Sequence, residues 1–179
     1  MTEKLERKRE TVALIPAAGA GKRMGEACPK QFLPLQGKPL LAHTLQTFQA
    51  CSSIDHIFLV VPKGRVDFCQ RELVERYGLK KVVGVVEGGE ERQDSVYNGL
   101  LAIEASWRVD RNSQNGSLSL EPSICSGEGG FPEVVVVHDG ARPFVSGRLI
   151  HEILQAAKTW GGGVTALPCG DTLKEIDQG

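Results

Sequence analysis

A glycine-rich turn with two basic residues nearby is the part of this sequence that could most directly bind a phosphate chain. The turn reads P-A-A-G-A-G-K-R-M-G at residues 16–25, and its small side chains let backbone N–H groups approach an anion. Arg23 lies in the turn, and Lys30 follows shortly after it. Both cations can reach one triphosphate if the turn folds over it. A tight strand-to-helix connection is the alternative interpretation.

Two common nucleotide-binding loops do not match these residues. A Walker A loop needs glycine before the Gly-Lys pair and Ser or Thr after it, but Pro16 and Arg23 occupy those positions. A dinucleotide fingerprint needs G-x-G-x-x-G, and the third glycine here comes one position late. The turn is therefore a phosphate-binding candidate of another kind, and it needs support from further motifs.

Residues 88–95, which read G-G-E-E-R-Q-D-S, follow a strand-like run and could contribute to the same site. They combine a flexible turn with a helix start, where backbone groups and the Ser95 hydroxyl could read the edge of a base. Helix capping by Asp94 and Ser95 is the alternative interpretation of the same residues. Arg92 is open to interpretation as a solvated helix residue.

A third group, H-D-G-A-R-P at residues 138–143, follows another strand-like run. Asp139 could lie near magnesium through a carboxylate oxygen, and Arg142 could bind a phosphate through parallel hydrogen bonds. The alternatives are a turn residue for Asp139 and a surface ion pair for Arg142. His138 has no partner ligands at metal spacing, so we expect a packed or hydrogen-bonded histidine rather than a zinc ligand.

Short runs of β-branched residues predict strands that are buried on both faces. They lie at residues 12–15, 57–61, 82–86 and 134–137. Helical periodicity appears at residues 41–48, 66–73, 96–103 and 149–156. This alternation predicts an α/β fold, a doubly wound, mostly parallel sheet that binds ligands at the carboxyl ends of its strands.

Composition predicts one soluble domain at residues 11–179, preceded by a charged tail at residues 1–10 that resembles no targeting signal. The formal net charge of −1 provides no bulk attraction to nucleic acid or membranes, so we expect neither as a partner. Residues 106–133 are rich in Ser, Gly and Asn without a period, which predicts a flexible insertion.

The five cysteines are odd in number and form no C-x-x-C pair, which argues against a disulfide framework or a zinc cluster and favours a reducing, cytoplasmic compartment. Near the end, the strand-like residues 171–176 lead into a turn-like composition at 177–179, where a hairpin would return. We therefore expect the domain to be incomplete at its C-terminus.

The motifs together are more specific than any one of them. They lie at residues 16–25, 29–33, 88–96, 137–143 and 171–174. In this order they resemble the 2-C-methyl-D-erythritol 4-phosphate cytidylyltransferases of the non-mevalonate isoprenoid route, over nearly the whole chain outside residues 106–133. Ribitol-5-phosphate cytidylyltransferases look similar over the same motifs. A nucleotide-binding module without turnover is a third possibility.

The resemblance implies a Rossmann-like nucleotidyltransferase fold and transfer of CMP from Mg-CTP to methylerythritol phosphate, with release of pyrophosphate. It implies that Arg23 and Lys30 are catalytic and stabilise the charge that develops at the α-phosphorus and on pyrophosphate. Positioning and preorganised positive charge then suffice, without a nucleophilic side chain. The nucleotide-binding residues that it implies are Ala17, Ala18, Gly19, Gly21, Gly89, Glu90 and Ser95.

The expected substrate-binding residues are Asp139, Arg142 and Thr172. Mg²⁺ is expected to be held mainly by the CTP phosphates, with Asp139 as a candidate ligand. By resemblance, Thr172 belongs to a β-arm that exchanges across a homodimer and contacts the partner's acceptor. The later Thr-Pro-Gln segment and the basic residues that position the acceptor phosphate in the family are not among these 179 residues.

Overall fold

The structure, a computed structural model, describes residues 10–19, 29–109 and 131–168. A 3₁₀ turn at Lys30–Phe32 follows the first gap, and a π-helical segment, Gln70–Glu75, continues the second helix. The strands and α-helices in chain order are β1 (Thr11–Pro16), β2 (Pro34–Leu35), β3 (Lys38–Pro39), α1 (Leu40–Ala50), β4 (His56–Val61), α2 (Val66–Cys69), β5 (Val82–Glu87), α3 (Arg92–Val109), β6 (Val134–Val137) and α4 (Gly147–Trp160).

Four strands form one parallel sheet in the order β5-β4-β1-β6. The chain moves outward from β1 to β5 and then crosses back to the other side of β1, where β6 pairs. Connections therefore leave β1 in opposite directions, and the crevice at such a switch point is where open α/β sheets bind ligands. The prediction of a doubly wound, mostly parallel sheet is confirmed.

β1 is buried on both faces because helices cover both sides of the sheet. Ala13 and Ile15 pack in the larger apolar cluster with residues of α1, α2 and α4. Val12 and Leu14 face the opposite way and pack with residues of α3. All four side chains have 0% exposure, and burial of an aliphatic side chain of valine size or larger contributes about 1.5–3 kcal/mol. β1 and its neighbour β4, in which residues 57–61 are at most 1% exposed, are thus the two buried inner strands of the sheet.

The second sheet is a short hairpin, β2-β3, that the sequence did not predict. Its two-residue turn places Gln36 at φ 50° and Gly37 at φ 79°, as hairpin turns with two left-handed residues require. Each strand has only two residues, which is too short for a periodic signal. The hairpin is attached to α1, since a ring nitrogen of His43 lies 2.8 Å from the carbonyl oxygen of Leu35.

Every predicted main strand and helix is present. α3 continues to Val109, so the first four residues of the predicted insertion are helical. The rest of that insertion up to residue 130, the charged tail at residues 1–9 and the strand-like residues 171–176 lie outside the described residues. Within the described ranges, no helix has the length and apolar character needed to cross a bilayer.

Gly99 provides a test of how closely α3 packs on the sheet. A Cβ atom at this position would lie 2.3 Å from Cδ1 of Leu14 and 2.9 Å from Cγ2 of Val60. Alanine gains about 1 kcal/mol over glycine inside a helix, but overpacking costs roughly 1–3 kcal/mol. We expect Gly99→Ala to lower the free energy of unfolding by up to about 2 kcal/mol in urea denaturation.

The matched control is Gly147→Ala in α4, because a Cβ atom there meets nothing within 4 Å. This variant should be as stable as the wild type or slightly more stable. A Gly99→Ala protein that gained stability would show that α3 does not press on β1 and β4 as described.

Candidate functional site

Three loops meet at the carboxyl edge of the sheet, after β1, β5 and β6, and enclose a cleft of about 440 Å³. This is the edge at which the sequence predicted a ligand site. The turn at Lys30–Phe32 closes one side of the cleft. The lining residues are Pro16, Ala17, Ala18, Gly19, Lys30, Gln31, Gly89, Glu90, Glu91, Arg92, Ser95, Asp139, Ala141 and Arg142.

Gln31 ties the loop after β1 to the turn that carries Lys30. Its side-chain amide donates to the carbonyl oxygens of Ala17 at 2.6 Å and Gly19 at 3.1 Å. The side chain is 4% exposed, so these bonds are made away from water, where an unpaired amide would be costly. Lys30 is exposed and lies at the cleft. Sequence reasoning did not single out Gln31, although it stands inside the motif at residues 29–33.

The Ser95 side chain hydrogen-bonds to the backbone of the loop after β5. The buried hydroxyl accepts a hydrogen bond from the N–H of Gly89 and donates to the carbonyl oxygen of Glu91, both at 3.2 Å. Asp94 accepts from the N–H of Glu91 at 3.0 Å, which caps the start of α3. Capping and site support therefore coexist: Asp94 caps the helix, and Ser95 lines the cleft.

The loop after β6 is fixed through Gly140. Its N–H donates to the carbonyl oxygen of Pro16 at 2.9 Å, and its own carbonyl accepts from the buried hydroxyl of Thr44 at 2.9 Å. An added Cβ would lie 2.8 Å from Cβ of Ala17, so this contact requires glycine. The loop therefore holds Asp139 close to β1, at the switch point of the sheet.

Asp139 lies between two arginines at the mouth of the cleft. Its Oδ1 accepts from Nη2 and Nε of Arg92 at 2.7 and 3.1 Å, and its Oδ2 lies 2.9 Å from Nε of Arg142. The Arg92 and Arg142 side chains are 65% and 75% exposed, and exposed pairs contribute only about 0–1 kcal/mol each. These contacts therefore orient the three side chains more than they stabilise the fold.

Arg92 lies at the cleft, whereas the sequence left open whether it is a site residue or a solvated helix residue. The sequence feature that could have indicated a site role for Arg92 is its position as the first residue of a helix that follows a strand end. Its partner Asp139 lies 47 positions away, and no local pattern predicts a contact over that distance. Among the described residues, the cleft is lined by three cations, Lys30, Arg92 and Arg142, and by three carboxylates, Glu90, Glu91 and Asp139, so its formal charges balance.

Asp139 fits poorly as a magnesium ligand. One carboxylate oxygen accepts hydrogen bonds from Arg92, and the other lies 2.9 Å from Nε of Arg142. These two guanidinium groups would repel a divalent cation. Among residues 10–19, 29–109 and 131–168, no group of three or more His, Cys, Asp or Glu side chains could hold a metal ion. The described residues therefore do not form a magnesium site of their own.

His138 is a packing residue rather than a ligand-binding residue. Its ring centroid lies 5.2 Å from that of Phe48, and its Nδ1 is buried without a hydrogen-bond partner among the described residues. Desolvation lowers the pKa of the imidazole below its usual 6.5, although neighbouring Asp139 acts in the opposite direction. A neutral, packed histidine agrees with the sequence expectation.

The structure brings most of the expected site residues to one cleft. Those around it are Ala17, Ala18, Gly19, Lys30, Gly89, Glu90, Ser95, Asp139 and Arg142. The remaining three, Gly21, Arg23 and Thr172, lie outside the described residues. The convergence of Arg23 and Lys30 on one triphosphate therefore stays a prediction.

The fold and the cleft define an open α/β protein with a charged, glycine-lined site at the switch point of a parallel sheet, the arrangement of nucleotide-binding domains. The chain belongs to the family described as IspD: 2-C-methyl-D-erythritol 4-phosphate cytidylyltransferase, whose model matches residues 11–109 and 123–179.

Curated relatives carry the same description. The 2-C-methyl-D-erythritol 4-phosphate cytidylyltransferases of Geotalea uraniireducens (strain Rf4) and Geobacter metallireducens are each 40% identical over 167 residues, which is 93% of this chain and 62% of each relative. The chain thus spans about three fifths of the length of these relatives. Nothing in these comparisons favours the ribitol-phosphate alternative.

Solved structures show the same fold. The 4-diphosphocytidyl-2C-methyl-D-erythritol synthase of Anaerococcus prevotii is 28% identical with a TM-score of 0.64, over 95% of this chain and 60% of that one. The 2-C-methyl-D-erythritol 4-phosphate cytidylyltransferase of Francisella tularensis is 29% identical with a TM-score of 0.62, over 94% and 62%.

His138 should make stability depend on pH. Because its folded pKa is lowered, the unfolded chain takes up a proton at higher pH than the folded chain. The contribution of the neutral ring is complete above about pH 6.5 and is lost as the pH falls towards the folded pKa. In urea denaturation at about pH 7.5 and about pH 5, His138→Phe should lose less stability on acidification than the wild type.

His151→Gln is the matched control, because His151 is exposed on α4, where its Nδ1 lies 3.0 Å from the Ser53 hydroxyl. This variant should keep the wild-type difference between the two pH values. An equal acid-induced loss in wild type and His138→Phe would mean that the imidazole is not desolvated in the folded state.

Proposed function

We propose that this chain forms the nucleotide site of a cytidylyltransferase that transfers CMP from Mg-CTP to 2-C-methyl-D-erythritol 4-phosphate. Its membership of the family supports the reaction class. The observation that carries the proposal is the convergence of Lys30, Ser95 and Arg142, from three separate parts of the chain, on one cleft. A cleft of about 440 Å³ lies in the range of small-ligand sites.

We assign the nucleotide to the loops after β1 and β5. Backbone groups at Ala17, Ala18 and Gly19 can approach the phosphates closely because these side chains are small. Gly89 and Glu90 present polar groups for the base and ribose, above the Ser95 hydroxyl. Gly21 is assigned to the same surface by the family motif.

The chemistry assigned to this site is an in-line displacement. An oxygen of the acceptor phosphate forms a bond to the α-phosphorus of CTP, the bond from that phosphorus to the bridging oxygen breaks, and pyrophosphate departs. The attacking phosphate is already anionic at neutral pH, so no protein base has to remove a proton. Lys30, together with Arg23 by the family motif, stabilises the negative charge in the transition state and on pyrophosphate.

Mg²⁺ enters this proposal as part of the substrate, bound to the triphosphate, where it neutralises phosphate charge. The proposal needs no metal held by the protein, in keeping with the two guanidinium partners of Asp139. A cytoplasmic location is proposed from the cysteine pattern, and Cys51 and Cys69 are free and buried. The homodimer and the acceptor contact of Thr172 are proposed from the family resemblance.

Lys30→Ala tests the proposal at its main described cation. Removing one preorganised donor to the transition state typically lowers turnover by about 10²-fold or more, and we expect that loss in pyrophosphate release. Calorimetric titration should also show weaker binding of Mg-CTP. Lys80→Ala is the matched control, because Lys80 is exposed just before β5, at the opposite edge of the sheet, and should leave both values unchanged.

Substrate preference is tested with CTP, UTP, ATP and GTP against methylerythritol phosphate and ribitol 5-phosphate. Release of pyrophosphate only with CTP and methylerythritol phosphate supports the proposal. CTP binding without turnover in any combination would instead identify a nucleotide-binding module. Normal turnover by Lys30→Ala would remove the proposed mechanism.

A further inference from the structure

A second cleft adjoins the first at the carboxyl end of β6. It has a volume of about 1220 Å³, lies between β6 and α4, and is mostly apolar in its lining. The side chains of Lys30, Arg92, Asp139 and Arg142 line both clefts. We name these four residues the charged ridge, because they form the boundary between the two cavities.

We propose that Arg92 binds a substrate phosphate and that Asp139 is a positioning residue, which holds Arg92 and Arg142 side by side as a paired anion site on the charged ridge. The inference rests on the proposed function, which supplies phosphate-bearing substrates. Nothing in the sequence motifs separated Arg92 from a solvated helix residue.

The geometry of Asp139 carries this inference. Each carboxylate oxygen serves a different arginine, Oδ1 for Arg92 and Oδ2 for Arg142. A guanidinium has five N–H donors. Arg92 donates two of them to Asp139, whereas Arg142 contacts Asp139 through one nitrogen, Nε, at 2.9 Å. Most donors of both groups therefore stay available to a phosphate, and both side chains are mainly exposed.

The attachment of the two arginines explains why a bridge between them matters. Arg92 is the first residue of α3, whereas Arg142 belongs to the loop after β6. Two guanidiniums repel each other, and exposed arginine side chains lose entropy when they are ordered. A carboxylate shared by both offsets the repulsion and selects one arrangement before the ligand arrives, which lowers the ordering cost of binding.

Charge and position indicate the class of ligand. The charged ridge has a formal excess of two positive charges, which matches one phosphate dianion. Because the ridge faces both cavities, the phosphate can belong to the nucleotide in the smaller cleft or to a second substrate in the larger one. The shared chemistry is a terminal phosphate group, and separate probes distinguish the two sources.

Asp139→Asn separates three roles for this carboxylate. If Asp139 acts only through its charge, its removal makes the ridge more positive, and anion binding tightens. If it binds a metal ion, binding weakens only when Mg²⁺ is present. If it positions the arginines, binding weakens even in excess EDTA, and Asp139→Glu restores part of the affinity. The proposal requires the third result.

The experiment is calorimetric titration of the 179-residue chain with CTP, pyrophosphate and methylerythritol phosphate, each with Mg²⁺ and with excess EDTA. Variants are Arg92→Gln, Asp139→Asn and Asp139→Glu. We expect Arg92→Gln and Asp139→Asn each to weaken binding of at least one probe in EDTA by about 10-fold or more, the scale of a charged hydrogen bond. The probe affected identifies the source of the phosphate.

Arg148→Gln is the matched control, since Arg148 is an exposed arginine that pairs with Glu152 on α4 and lines neither cleft. It should bind every probe as the wild type does. Unchanged binding in Arg92→Gln, or tighter binding in Asp139→Asn, would overturn the inference. If the wild type binds pyrophosphate but not CTP, the proposed function fails while the anion site stands, and binding of no probe refutes both.

Discussion

The burial of β1 between two strands and two helical layers is the constraint on which the rest of the structure depends. Its side chains fix both apolar clusters, so neither layer can shift without moving the strand. Its carboxyl end is then fastened on both sides, because the N–H of Ala17 donates to Val60 at 2.7 Å and the N–H of Gly140 donates to Pro16 at 2.9 Å. The cleft lies next to these two hydrogen bonds, at Pro16 and Ala17.

Three buried polar side chains transmit that rigidity to the site. Gln31 holds the loop after β1, Thr44 holds the loop after β6, and Ser95 holds the loop after β5. Each is 4% exposed or less and bonds to loop backbone. Buried polar groups need partners, so these contacts select one conformation for each loop. The backbone positions that carry the exposed charged groups are thereby fixed relative to one another.

The sequence predicted what depends on local patterns and missed what depends on long-range contact. The four main strands and their helices follow from apolar period, and the edge of the sheet that carries the cleft follows from their alternation. The pairing of Arg92 with Asp139 does not, because it joins the first residue of α3 to a loop residue 47 positions away. Gln31 was missed for a similar reason, since glutamine at a surface-like turn gives no sign that its amide is buried.

The contact between the loops after β1 and β5 limits how this site can evolve. A Cβ atom on Gly88 would lie 2.3 Å from Cβ of Ala18 and 2.6 Å from Oγ of Ser95, so no larger residue fits there without separating the loops. Substitution of Gly88 by any larger residue is therefore excluded while the two loops keep this contact. Changes in ligand preference are therefore expected at the rim, where Glu90 and Arg142 are exposed.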